Sequence, residues 1–176
     1  MTSSQPSKAQ ANLQLAIWNK QAESSTSEEL YIRIQKLGLP EEVTSRLHDL
    51  ILKVQQVAGK VIHIGKIILL KLLEFVEEHF FLVAGAGIGA VFGAALSGMI
   101  TSMAVAVPMV ASILMPIATA LGLTVTVLGA VTGNDLDQLI PSFGKNLIDI
   151  AKSFFQLFAS ILIAVFGDQQ PVITVA

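Results

Sequence analysis

The longest feature of the hydrophobic pattern is a run without Asp, Glu, Lys or Arg, which extends from His79 to Asn134. A helix that crosses a bilayer needs about 20 predominantly apolar residues. The run is long enough for two such helices and a turn between them. It therefore predicts an all-α membrane protein, built around a transmembrane helical hairpin over residues 80–132.

Two prolines are the strongest turn signals inside this run. Proline has no amide hydrogen and disfavours helical backbone at the residue before it. We therefore predict a first crossing over residues 80–107, a turn from Pro108 to Pro116, and a second crossing over residues 117–132. The turn carries no charge, which favours its passage through a bilayer because no ion has to be desolvated.

Small residues recur at every fourth position in the first half of the hairpin. This glycine row consists of Gly85, Gly89, Gly93, Ser97 and Thr101. Positions four apart lie on one face of a helix, and small side chains there let another helix approach closely in lipid. The row predicts a glycine zipper, which packs either against the second half of the hairpin or against another copy of the chain.

The region before the hairpin, residues 27–79, is predicted to be helical, amphipathic and basic. Thr26 and Glu29 fit a capping box at its start. Polar side chains then recur at steps of three and four, which is typical of a narrow polar stripe on a helix: Arg46, Asp49, Lys53, Gln56, Lys60 and His63. Basic residues on such a helix suit a lipid surface, and those predicted to contact it are Lys53, Lys60, Lys66 and Lys71. The alternative is a helix in a bundle whose polar stripe faces water.

The two ends of the chain give weaker signals. Residues 1–26 are rich in Ser, Gln and Ala and are predicted to form a mobile polar tail. The alternative is a weak helix that touches a membrane surface through Leu13, Leu15, Ile17 and Trp18. Residues 135–167 are predicted to form a helix that changes from amphipathic to apolar along its length. Its charge-free part, 153–167, is short for a crossing of a hydrocarbon core about 30 Å thick. Residues 168–176 are predicted to be a second tail.

Composition supports a membrane class and excludes several chemistries. Apolar residues make up 53% of the chain and charged residues only 14%, whereas soluble domains carry about 25% charged residues. The net charge of −2 and the lack of a basic patch argue against nucleic acid as a partner. The chain has no cysteine, and its three histidines are far apart in sequence, so we expect no metal and no cofactor.

Catalytic motifs are missing from the sequence, and the predicted hairpin holds hydroxyl groups but no carboxylate or amine. We therefore expect that the protein is not an enzyme. Transporters and proton pumps usually need charges inside the membrane, so these classes are disfavoured as well.

These features predict a small integral membrane protein that self-assembles through its glycine row into a pore-forming or membrane-permeabilising oligomer. The expected partners are membrane lipid and other copies of the chain. Lysines on both sides of the hairpin place its flanks on the cytoplasmic side of a plasma or inner membrane. One alternative is a membrane scaffold or anchor that recruits a protein partner through residues 1–60. Another is a soluble helical assembly in which the apolar hairpin is buried.

Overall fold

The structure, a computed structural model, describes residues 6–57, 59–81, 83, 87–103, 106–122, 144–167 and 173–175. Over these ranges the backbone is mostly helical, as predicted, and it includes one small antiparallel sheet.

The N-terminal part consists of three helices, α1 (Lys8–Ser24), α2 (Ser27–Lys36) and α3 (Glu41–Ile51). The predicted capping box at the start of α2 is confirmed. The Glu29 amide donates to the Thr26 hydroxyl at 3.1 Å, and the Thr26 amide donates to the Glu29 carboxylate at 3.2 Å. These two bonds satisfy amides that the first turn of a helix leaves without partners.

A β-hairpin interrupts the region that was predicted to be helical throughout. Strand β1 (Lys53–Val57) pairs antiparallel with β2 (Lys60–Ile62), and β3 (Ile173–Val175) pairs antiparallel with the other edge of β1. The turn contains Gly59, whose φ of +81° is a conformation that glycine adopts readily. β-Branched side chains favour a pleated strand over a helix, and both strands of the hairpin are rich in them. The polar spacing of three and four was therefore misleading here.

Three apolar helices follow: α4 (Ile64–Glu78), α5 (Ile88–Met103) and α6 (Pro108–Ala120). The predicted turn from Pro108 to Pro116 is wrong, because this stretch is helical. Pro108 occupies the first turn of α6, where its missing amide hydrogen costs nothing. Val107 before it is not helical, with φ −131° and ψ 75°, which agrees with the exclusion of helical backbone before proline. Helix α6 therefore begins at Pro108, where the sequence predicted a turn.

The C-terminal part contains α7 (Gly144–Phe154) and α8 (Gln156–Phe166), which are separated at Phe155. The sequence predicted a single helix over residues 135–167. Its first part, residues 135–143, lies outside the described residues. Strand β3 falls in the stretch that was predicted to be a tail.

Helix α5 is the centre of the hydrophobic core. Every residue from Ala90 to Ile100 is buried, on all sides of the helix. Helices α4, α6, α7 and α8 pack around it, and α1 in turn packs on α4 and α8. One continuous cluster of apolar side chains connects these helices. Such a helix, hydrophobic all round, belongs in the interior of a protein or in a bilayer.

The predicted transmembrane hairpin is wrong. Among the described residues, none of the helices combines the length and the apolarity that a bilayer crossing demands. Helix α5 has 16 residues and α6 has 13, so at 1.5 Å per residue they are about 24 and 20 Å long. A hydrocarbon core is about 30 Å thick. The structure therefore does not support a membrane or pore-forming class. The predicted second crossing continues past Gly122 into residues outside the described ranges.

The predicted N-terminal tail is a packed helix where the structure describes it. Helix α1 buries a stripe at helical spacing that consists of Ala11, Leu15, Trp18 and Ala22. The Trp18 ring lies 5.2 Å from the Phe158 ring of α8, centroid to centroid. Aromatic burial of this kind contributes substantially to a core, which explains why a segment with a polar composition is ordered.

Asn19 of α1 also joins this helix to the junction of β2 and α4. Its side-chain amide nitrogen donates to the Val61 carbonyl at 3.1 Å, and its oxygen accepts from the His63 amide at 2.8 Å. One side chain therefore satisfies a donor and an acceptor of a chain segment more than 40 positions away. Backbone amide and carbonyl groups that are buried at such a junction need hydrogen-bond partners, because water no longer reaches them.

We predict that Asn19→Ala lowers the free energy of unfolding by about 1–3 kcal/mol, because it removes two hydrogen bonds and leaves backbone groups unpaired. Urea denaturation followed by circular dichroism measures this change. Lys20→Ala, at the exposed neighbouring position, is the control and should change the free energy by less than about 0.5 kcal/mol. Equal effects of the two variants would show that the Asn19 contacts do not hold α1 in place.

Candidate functional site

The structure scatters the glycine row instead of presenting it as one contact face. Gly93 and Ser97 are buried inside the core, whereas Gly89 is half-buried and Thr101 is exposed. Gly85 lies outside the described residues. The buried Ser97 hydroxyl donates to the Gly93 carbonyl at 2.8 Å. A polar group in the core is thereby satisfied within its own helix.

Gly98, which lies off the predicted row, makes a close approach to α7, and Gly65 of α4 makes another to the backbone of Leu50 in α3. A Cβ atom at Gly98 would lie 2.5 Å from the Ala151 Cβ and 2.9 Å from the Ala151 carbonyl carbon. These distances mean that α5 and α7 touch backbone to backbone. At Gly89, by contrast, a Cβ would meet no atom of the described residues within 4 Å. Gly98 is therefore a packing residue outside the predicted row, and the zipper role of Gly85, Gly89, Gly93, Ser97 and Thr101 stays a prediction.

The lysines that were predicted to lie on a membrane surface occupy different environments. Lys60 is exposed on β2, and Lys53 is half-buried at the start of β1. Lys66 donates to the Ser25 carbonyl at 3.0 Å, just beyond the end of α1. The Lys71 ammonium lies 4.7 Å from the centre of the Trp18 ring. Two of the four therefore bind α1, through a backbone carbonyl and a cation–π contact.

Lys71 also pairs with Glu74, at 3.2 Å between the ammonium and the carboxylate. Arg33 of α2 forms an ion pair with Glu77 of α4. Charged side chains of the N-terminal helices and of α4 thus hold these helices to one another. Exposed ion pairs contribute little stability individually, so their main effect is to fix orientation.

A cleft between α3 and α6 has a volume of about 250 Å³. Arg46, Asp49 and Leu50 share one face of α3, since they are three and four positions apart. Lys53 follows at the start of β1. From α6 the cleft is lined by Ser112, Ile113, Pro116 and Ile117. Three charged side chains here meet a helix that has none.

Pro116 gives the cleft an unusual wall. It lies inside α6 and has no amide hydrogen, so the Ser112 carbonyl lacks its usual donor four residues on. The Ser112 hydroxyl is engaged elsewhere, donating to the Met109 carbonyl at 2.8 Å. Within α6 the Ser112 carbonyl therefore lacks the hydrogen bond that the amide of residue 116 would otherwise donate.

The sequence placed the side chains of α3 on a polar stripe but did not reveal which helix faces them. A proline within an otherwise helical apolar run was the available signal, and it was interpreted as a turn. The cleft combines charged side chains of α3 and β1 with apolar side chains of α6.

Other chemistry is sparse in the part of the chain that the structure describes. Within it, no three His, Asp or Glu side chains are grouped closely enough to bind a metal ion.

Comparisons with known proteins identify no relative: no family model, no curated protein and no solved structure matches this chain. The function has to be argued from the residues and their geometry.

We predict that Gly98→Ala destabilises the fold by about 1–3 kcal/mol, because the new methyl group forces the backbones of α5 and α7 apart. Thermal or urea denaturation provides the measurement. Gly89→Ala, in the same helix but in open space, should leave the stability unchanged or raise it by up to about 1 kcal/mol through helix propensity. The packing of α5 on α7 would be refuted if Gly98→Ala were the more stable of the two.

Proposed function

We propose that this protein is a non-enzymatic helical assembly whose apolar hairpin forms the interior of the fold and whose outer helices carry its interactions. The enclosure of α5 is the observation that supports this proposal. Its buried residues contact helices of the same chain, so they are not available to lipid while the fold is intact.

The energetic argument follows from the size of this core. Burying one large apolar side chain contributes about 1.5–3 kcal/mol. On α5 alone, Val91, Phe92, Leu96 and Ile100 are fully buried. Turning this helix outward would require the chain to give up contacts with four other helices. The packed arrangement is therefore the state that these residues favour in water.

The outer helices have the opposite character. On α3 the residues that face away from the core are mostly polar or charged, as at Glu41, Glu42, Ser45, Arg46 and Asp49. An apolar face toward the core and a polar face toward water are the usual arrangement of a helix at the surface of a bundle. The charge-poor composition that suggested a membrane protein reflects the size of the interior.

We predict that the full chain remains dispersed in detergent-free buffer, with one defined mass by light scattering. Leu96→Asp should abolish folding, because it buries an unpaired charge at a fully enclosed position. Thr101→Asp, on the exposed side of the same helix, should keep the mass and the helical circular dichroism of the original chain.

The opposite pattern would contradict the proposal. A chain that requires detergent to stay dispersed, or a Thr101→Asp variant that fails to fold as Leu96→Asp does, would mean that α5 is not enclosed as described.

A contact between copies of the chain is a second candidate, and one observation favours it. Leu13 is 65% exposed and Ile17 is 46% exposed, and they lie one turn apart on the side of α1 that faces away from its buried stripe. Exposed apolar side chains that form a patch mark interaction sites. This surface belongs to the N-terminal region, residues 1–60, through which a partner was expected to bind.

Replacement of Leu13 and Ile17 by Ser together should convert an oligomer of the chain into a smaller species by light scattering. The control replaces Asn12 and Ala16 by Ser, two exposed positions with the same spacing on the same helix, and should leave the mass unchanged. A monomeric original chain, or equal masses for all three proteins, would rule out this contact.

A further inference from the structure

We propose that the side chain of Asn19 closes the free edge of the β-sheet, and that a second copy of this chain would otherwise pair with that edge. Strand β2 lies at one side of the sheet, because the strand order among the described residues is β2-β1-β3. A strand at the edge of a sheet presents amide and carbonyl groups with which a strand of another molecule can pair. The inference rests on what occupies these groups in β2.

The groups that face the free edge belong to Val61 and His63. Val61 lies opposite Gln56 of β1, yet its carbonyl accepts from Asn19 of α1 at 3.1 Å, and the His63 amide donates to Asn19 at 2.8 Å. The backbone groups of successive residues in a strand face opposite sides, so Lys60 and Ile62 face β1. Val61 is therefore the residue of β2 whose backbone faces outward.

The Asn19 carboxamide offers this edge what a neighbouring strand would offer. A carboxamide has a carbonyl oxygen and N–H donors, as a peptide group has. In a parallel pair of strands, one residue donates to a carbonyl of its neighbour and accepts from the amide two positions further along. Asn19 makes this pattern with Val61 and His63. The side chain thus occupies the place of one strand residue.

Neighbouring contacts hold this part of α1 against the sheet. The Trp18 ring packs on Phe158 of α8. Glu23, one turn beyond Asn19, accepts from the Asn19 amide at 3.4 Å and lies 4.0 Å from the His63 ring. A charged side chain beside an edge also disfavours an incoming strand. Helix α1 therefore covers the edge, and Asn19 supplies the hydrogen bonds.

A second copy of the chain is the partner that fits this edge when α1 moves away. The Val61 side chain is 42% exposed, and β-branched residues favour strand pairing. Because Val61 turns its backbone outward in every copy, two copies can pair antiparallel about this residue. The two sheets would then join through β2 with the same surface on both sides, as a twofold dimer requires.

This dimer is independent of the proposed contact through Leu13 and Ile17. Those two side chains are exposed on α1, whereas Asn19 of the same helix is bonded to the sheet.

Sedimentation velocity of the full chain over a range of concentrations tests the inference. Asn19→Ala should dimerise at least about tenfold more tightly than the original chain, because the loss of two hydrogen bonds makes displacement of α1 more frequent by about that factor. Lys20→Ala, at the exposed neighbouring position, should behave as the original chain does.

A second substitution separates an open edge from a general loss of stability. Val61→Lys adds a charge at an exposed position, and in paired copies two such charges would lie directly opposite each other, which is unfavourable. Asn19→Ala/Val61→Lys should therefore have the mass of the original chain, although it lacks the same two hydrogen bonds. Val61→Thr is uncharged and β-branched, so Asn19→Ala/Val61→Thr should still dimerise.

Disulfide cross-linking locates the contact, because the chain has no cysteine of its own. Asn19→Ala/Val61→Cys should form a covalent dimer under mild oxidation, since residues directly opposite each other in antiparallel strands lie within disulfide range. The control is Asn19→Ala/Ser45→Cys, with the thiol at an exposed position of α3, and it should cross-link several-fold less.

Three results would overturn the proposal. The first is equal self-association of Asn19→Ala and the original chain. The second is a dimer of Asn19→Ala that persists in Asn19→Ala/Val61→Lys, since a general loss of stability would then explain it. The third is equal cross-linking through positions 61 and 45, which would mean that the copies do not meet at β2.

Discussion

The close contact between α5 and α7 at Gly98 is the constraint on which the remaining structure depends. Because a side chain at this position would collide with Ala151, the two helices can pack this tightly only with glycine there. The contact brings the C-terminal helix against one side of α5, while α4, α6 and α8 cover the others. Because α5 is enclosed by these helices, its lack of charge and its small residues are those of an ordinary core helix. Its inward hydroxyl, Ser97, is satisfied by the carbonyl of Gly93, so no buried donor is left open there.

The outer elements are arranged around this core through a few polar contacts. Asn19 and Lys66 tie α1 to the β2–α4 segment through backbone groups. The pairing of Arg33 with Glu77 links α2 to α4. The cleft lies between α3 and α6, where charged side chains of α3 meet the uncharged α6. Pro116 removes one helical hydrogen bond of α6 there. The cleft therefore lies at a boundary between a charged and a charge-free helix.

The sequence predicted the helical class, the capping box at Thr26 and the apolar character of the central helices, because these depend on local patterns. It could not distinguish a bilayer from a protein interior, since both select uncharged side chains and small residues at helix contacts. Among the described residues, α5 ends at Met103 after 16 residues, and none of the helices there is long and apolar enough to cross a membrane. The β-hairpin was missed because its polar residues happen to fall at helical spacing. The cleft could not be foreseen, because it depends on which face of α6 meets α3, a property of tertiary packing.

The most direct test of the enclosed core is amide hydrogen exchange on the full chain in detergent-free buffer. If α5 is the centre of the fold, the amides of residues 91–100 should be among the slowest to exchange, and addition of detergent micelles should not change their rates. Core helices exchange only through the largest unfolding events. Rapid exchange of these amides without detergent, with protection appearing only when micelles are added, would contradict the account and show that α5 is ordered by an apolar solvent and not by its own chain.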